Sequence, residues 1–170
     1  MVYKKTWLFA LTLLFVFSVT IVGNLHAQTD NRLNGTWIDD SDDDTVVEMT
    51  FNNGNYEQSS IDKIDNEQNF SRGTYTASNG RITFKPAQMM FIGSPALEMG
   101  LVSGRWYSIT EFSANMRNVY STYGMPADIV NQMLELIVTP PAESYSITGN
   151  TLTITVTIFD ETETLVYRRK

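Results

Sequence analysis

The chain has 170 residues, a formal net charge of −7, no cysteine and a single histidine. That length suits one domain with a sizeable core. The lack of cysteine removes disulfides, thiolate metal sites and thioether lipid anchors. The acidic balance opposes nucleic acid and anionic membrane surfaces, which require clustered Lys and Arg.

The first segment reads as an export signal: Lys4 and Lys5, an apolar run from Trp7 to Val22, and a polar exit through Leu25, His26 and Ala27. Cleavage after Ala27 is expected, leaving residues 28–170 as one domain beyond the inner membrane of a bacterium, periplasmic or secreted. The alternative is an uncleaved anchor, because a bilayer core needs about 20 apolar residues. The small Ala27 and the switch to polar sequence at Gln28 favour cleavage. Cleavage removes Lys4, Lys5 and His26, taking the net charge to −9 and the imidazole with it. Zinc, copper and haem ligation then lose their usual donors, and no cofactor or metal is expected.

Downstream, period-two alternation dominates. A first strand, Leu33 to Ile38, carries Gly35, Thr36 and Trp37. The acidic run Asp39, Asp40, Asp42, Asp43 and Asp44 follows. As a calcium loop counted from Asp40 it fails, with Thr45 where glycine belongs and Phe51 where glutamate belongs, so it reads as a solvated connection. Val47, Met49 and Phe51 alternate up to a turn containing Gly54, and Tyr56 opens the next strand. Phe70 to Thr76 and Arg81 to Lys85 flank Ser78, Asn79 and Gly80, another hairpin.

Residues 87–102 break the pattern with Met89, Met90, Phe91 and Ile92 ahead of Gly93 and Pro95, and read as an irregular plug. Gly104 to Phe112 reads as a strand in which Trp106 and Tyr107 face opposite sides, with Trp106 placed inside. Ile129, Val130, Met133, Leu134 and Ile137 share one helical face over 126–138, with Pro126 suited to the first turn and Pro140 and Pro141 ending it. Tyr145 and Ile147 then turn through Gly149 and Asn150 into Leu152, Ile154, Val156 and Ile158, which alternate with threonines. After an acidic turn at Asp160 and Glu161, Leu165, Tyr167 and Arg169 share the inner face of the last strand. The expected fold is all-β: an antiparallel up-and-down barrel of eight to nine strands with one short helix, closed because closure removes exposed edges.

Gly35-Thr36-Trp37 on the first strand and Arg169 on the last resemble the lipocalin-like, or calycin, family. There a G-x-W meets a basic side chain at the closed end, and the cation rests on the indole. The resemblance implies a structural pair, Trp37 and Arg169. It also implies a cup for a small apolar molecule, with protein-binding members as well. The helix position, between Phe112 and Tyr145, departs from the family, which places it near the first or after the last barrel strand.

Candidate ligand-lining residues are Met49, Phe51, Phe84, Trp106, Ile154 and Val156 on inward positions, with Met90 and Phe91 from the plug. The alternative is an envelope or secreted protein–protein interaction module with a solid core. No catalytic residue is assigned. A serine nucleophile would have only Lys63, Lys85 or Lys170 as a base, outside any recognisable motif. No carboxylate pair among Glu48, Glu111, Asp160, Glu161 and Glu163 stands out for acid–base work. The expected activity is therefore non-enzymatic, without nucleic acid and without stable membrane insertion after cleavage.

Overall fold

The computed structural model describes residues 29–158 and 161–170. The expected signal peptide, with His26 and Ala27, and the turn residue Asp160 lie outside them. A 3-10 turn, Asn31–Leu33, leads into β1 (Gly35–Asp39), β2 (Thr45–Asn52), β3 (Asn55–Asp62), β4 (Gln68–Ser78) and β5 (Arg81–Ile92). Then come α1 (Ser94–Glu98), β6 (Trp106–Ser108), α2 (Ile109–Thr122), α3 (Ala127–Val138), β7 (Glu143–Thr148), β8 (Thr151–Ile158) and β9 (Glu161–Arg169). All pairings are antiparallel. β1 to β5 form a meander, β7 to β9 a second one, and the contacts β1–β9 and β5–β7 close an eight-stranded barrel, with β6 added on the far half of β5.

Two hairpins rest on Asn-Gly pairs with both residues at positive φ: Asn53 and Gly54 (46° and 85°), and Asn79 and Gly80 (52° and 72°). This is the geometry whose twist matches that of the flanking strands. The expected all-β barrel is therefore present, but its long strand β5 behaves differently from the sequence reading. Arg72 pairs with Gln88 and Gly73 with Pro86, leaving Ala87 as an extra residue. The bulge shifts the alternation, so Ile82, Phe84 and Pro86 are buried before it and Met89 and Phe91 after it. Gly73 makes the close approach possible, since a Cβ there would stand 2.1 Å from the Lys85 carbonyl oxygen.

The supposed plug at 87–102 is thus β5 continued to Ile92, followed by α1. The expected strand from Gly104 to Phe112 shrinks to Trp106–Ser108. Helix α2 takes over because Ser108 and Glu111 form a capping box: the Ser108 side chain accepts from the Glu111 amide, and Glu111 accepts from the Ser108 amide. Helix α3 lies where expected, with Pro126 at its N-cap. Among the described residues three α-helices therefore stand in place of one, and none is long and apolar enough to cross a membrane.

The extra helices create a second core. Inside the barrel are Leu33, Trp37, Met49, Phe51, Tyr56, Tyr75 and their neighbours. Beyond the bulge, on the inward face of β5, Met89 and Phe91 pack with Tyr107, Phe112, Met116, Val130 and Leu134 as a second cluster. Leu136 of α3 reaches the barrel core itself, so the helical layer joins the two.

Candidate functional site at the barrel mouth

The closed end is built around Trp37, fully buried with its indole Nε1 donating to the Leu33 carbonyl at 2.7 Å. The Arg169 guanidinium lies 4.2 Å from the indole ring centre and donates to the carbonyls of Asn34 (2.8 Å) and Arg32 (2.6 Å). Gly35 permits this: its φ is +123°, and a Cβ would stand 2.9 Å from Arg169 Nη1. The structural pair expected from the sequence is in contact.

Above it the inward side chains are buried. Met49, Phe51, Phe84, Ile154 and Val156 are each 2% exposed or less. Phe51 meets Tyr75 edge-on at 4.8 Å, and Tyr56 meets Phe84 at 4.9 Å. These five residues belong to one buried cluster. The other three expected lining residues lie elsewhere. Phe91 stacks on Phe112 at 5.5 Å in the second core. Met90 and Trp106 are register partners on the opposite face of β5 and β6, where the Arg72 guanidinium sits 4.0 Å from the indole. Tyr107, not Trp106, faces inward, because the bulge at Ala87 resets which residues of β5 and its partner point to the core. The Tyr107 hydroxyl accepts from the Val102 amide at 2.7 Å.

A polar cavity of about 370 Å³ opens at the closed end, lined in part by Asp30, Arg32, Ala77, Asn79 and Tyr145. None of the eight expected residues borders it. Asp30 accepts from Arg32 (2.6 Å at Nη2) and from the Tyr145 hydroxyl at 2.9 Å. The Arg32 hydrogen bond, against a smaller opposing effect of burial, lowers the Asp30 pKa to about 2. Burial first, and then Asp30, push Tyr145 up to about 12.

The mouth differs. Inward positions of β2 and β3 change from buried (Met49, Phe51, Tyr56) to partly exposed (Thr45, Val47, Gln58, Ser60) on approaching it. β9 does the same, from Tyr167 through Leu165 to Glu163. On the other side Asn69, Ser71, Met89, Phe91, Glu143 and Val156 stay buried, under or beside the helical layer. The helices therefore cover half of the mouth, and the half formed by β9, β1, β2 and β3 opens to solvent.

At the edge of the covered half lies Glu143, the first residue of β7, opposite Ile82 of β5. It is 3% exposed and neither carboxyl oxygen has a hydrogen-bond partner. Burial pushes its pKa up to about 8. Its charge adds to burial in raising Tyr56, whose hydroxyl bonds Ser71 Oγ at 3.1 Å and is thereby partly offset. Tyr167 is raised by burial and then by Glu143, Asp39 and Glu163 in that order. Sequence reasoning missed Glu143. The signal was available in the alternation of Glu143, Tyr145 and Ile147, which places the acid on the inward face.

The acidic run beside the mouth closes on itself. Asp39 accepts from Ser41, Asp42 accepts from the Asp44 amide at 2.8 Å, Asp40 pairs with Arg168, and Lys63 donates to the Asp43 carbonyl. Among the described residues no group of three or more acids is arranged to hold a metal. No protein-family model, curated protein or solved structure matches the chain.

Proposed function

We propose that this domain is an exported, non-enzymatic binding protein of the lipocalin-like type, which engages a small molecule at the half-open mouth of its barrel and not in a deep cup. The observation that carries this reading is the burial gradient: inward residues of β2, β3 and β9 are sealed low in the barrel and partly exposed near the rim. Val47 and Leu165 give that opening an apolar wall. The cavity of about 370 Å³ at the closed end reaches the usual ligand-pocket size of about 300 Å³. Its charged groups, Asp30 and Arg32, already pair with each other and Asp30 with Tyr145, whereas the mouth keeps an acid without a partner.

Native mass spectrometry of protein purified from its own host tests this. A retained small molecule, lost when Val47→Arg blocks the mouth, is the expected result. An empty protein whose Val47 and Leu165 signals ignore a panel of small amphiphiles would sink it.

The protein-partner reading draws on a separate observation, the exposure of Leu97 (72%), Val102 (62%) and Tyr123 (77%) around the helical layer. Light scattering after chromatography separates the two, because a strict monomer that captures nothing through this face excludes the second.

A further inference from the structure

A carboxylate taken out of water is costly unless a cation or hydrogen bonds compensate it. Glu143 has neither, although both oxygens are buried on the inward face of β7, where its charge is felt by Tyr56 and Tyr167. Every charged group on an inward position near the mouth is an acid: Asp39, Asp62, Glu143, Glu161 and Glu163. The cations of the neighbouring strands face outward. Arg168 pairs with Asp40, Lys170 with Glu48, Arg72 lies over Trp106, and Arg81 donates to the Ala142 carbonyl. From α3, Asp128 and Glu135 are exposed, and Lys85 of β5 is exposed as well. The mouth thus concentrates negative potential on a buried acid for which the described residues supply no counter-ion.

We propose that the mouth binds a small organic cation, a primary ammonium on a short apolar tail, with Glu143 as its counter-ion and the tail against Val47 and Leu165. This rests on the mouth being the binding site, and it adds the chemistry of the ligand. The two Glu143 carboxylate oxygens can accept from two of the three ammonium hydrogens, which leaves the third to solvent at the mouth. Charge-assisted bonds of this kind exceed neutral ones in strength. Without ligand, burial keeps Glu143 protonated at neutral pH. The arriving cation displaces that proton to solvent, so the net charge of the site is conserved.

The test uses the domain with octylammonium, octanol and octanoate as probes, by calorimetry in two buffers of different ionisation enthalpy and by amide chemical shifts. Octylammonium is expected to bind at least about tenfold more tightly than octanol, releasing about 0.9 proton at pH 7. Its affinity should rise about tenfold from pH 6 to pH 7 and level off above pH 8. Glu143→Gln, which keeps the shape and cannot ionise, should fold and bind octylammonium at least about tenfold more weakly with no proton release. If octanol shifts Val47 and Leu165 as strongly as octylammonium at equal affinity, the cation proposal fails while the mouth reading stands. Unchanged octylammonium binding by Glu143→Gln also overturns it. If no probe shifts Val47 or Leu165, both readings fall together.

Discussion

At the closed end the Arg169 guanidinium covers Trp37 and donates to two backbone carbonyls, and Asp30 is held by Arg32 and Tyr145. At the mouth, Glu143 is just as firmly enclosed and has no partner for either oxygen. One barrel therefore contains a charged end whose groups compensate one another and a charged end left incomplete. Complete networks hold a fold in place, whereas a buried group without a partner is a liability unless something else uses it. The difference separates the part of the barrel that stabilises from the part that is free to bind.

The sharpest way to break the comparison is to remove the centre of the closed end. Trp37→Ala should cost about 3–5 kcal/mol, through lost burial and the cavity left behind, and it strands Arg169 without its ring. Chemical denaturation measures this. A loss below about 1 kcal/mol would mean that the closed end is not what holds the barrel together.

Titration should move the two ends in opposite directions. Glu143 has a folded-state pKa raised from 4.5 to about 8, so between those values the folded state holds a proton that the unfolded chain has released. Its contribution to stability is present in full below pH 4.5 and is lost as pH rises to about 8. Glu143→Gln should remove that slope and leave the variant more stable than the parent by about 2–4 kcal/mol at pH 9. Asp30 works the other way. Its pKa is lowered from 3.8 to about 2, so its contribution exists above pH 3.8 and disappears as pH falls to about 2. Because Arg32 is 69% exposed, solvent screens this pair, and Asp30→Asn should cost only about 1 kcal/mol at pH 7 while flattening the acid limb. Urea midpoints measured from pH 2 to pH 9 for both variants check the two signs together.

The closed end was largely legible from the chain, and the mouth was not, for a physical reason. Trp37 and Arg169 fall on strands with uninterrupted alternation, so parity alone brought them to one face. Met49, Phe51, Phe84, Ile154 and Val156 were read as inward, but parity says nothing about how closely inward side chains pack, and here they are buried in one cluster. Trp106 was placed inside on its own strand, where alternation says only that one of Trp106 and Tyr107 faces in; the pairing of Tyr107 with the buried Met89 decides for Tyr107. Helix α2 was hidden because Trp106, Tyr107 and Ser108 do form a strand. The Ser108-x-x-Glu111 spacing marked the switch to a helical period that Phe112, Met116 and Tyr120 then follow. Glu143 was legible as a position and illegible as a burial, since parity does not say how completely an inward side chain is covered.

The smallest effect concerns that layer. Ser108 accepts from the Glu111 amide at 3.2 Å, and Glu111 accepts from both the Ser108 amide and hydroxyl at 3.0 Å. Ser108→Ala should cost about 1 kcal/mol, as loss of an N-cap usually does. Where that cost appears is more telling than its size. Helix α2 belongs to the second core and Trp37 to the first, so hydrogen exchange should quicken over Ile109–Phe112 and the covered side of the mouth while the closed end keeps its protection. If the change spread equally to Trp37, the helical layer and the closed end would be one cooperative unit, and the division of the barrel into a stabilising end and a binding end would have to be given up.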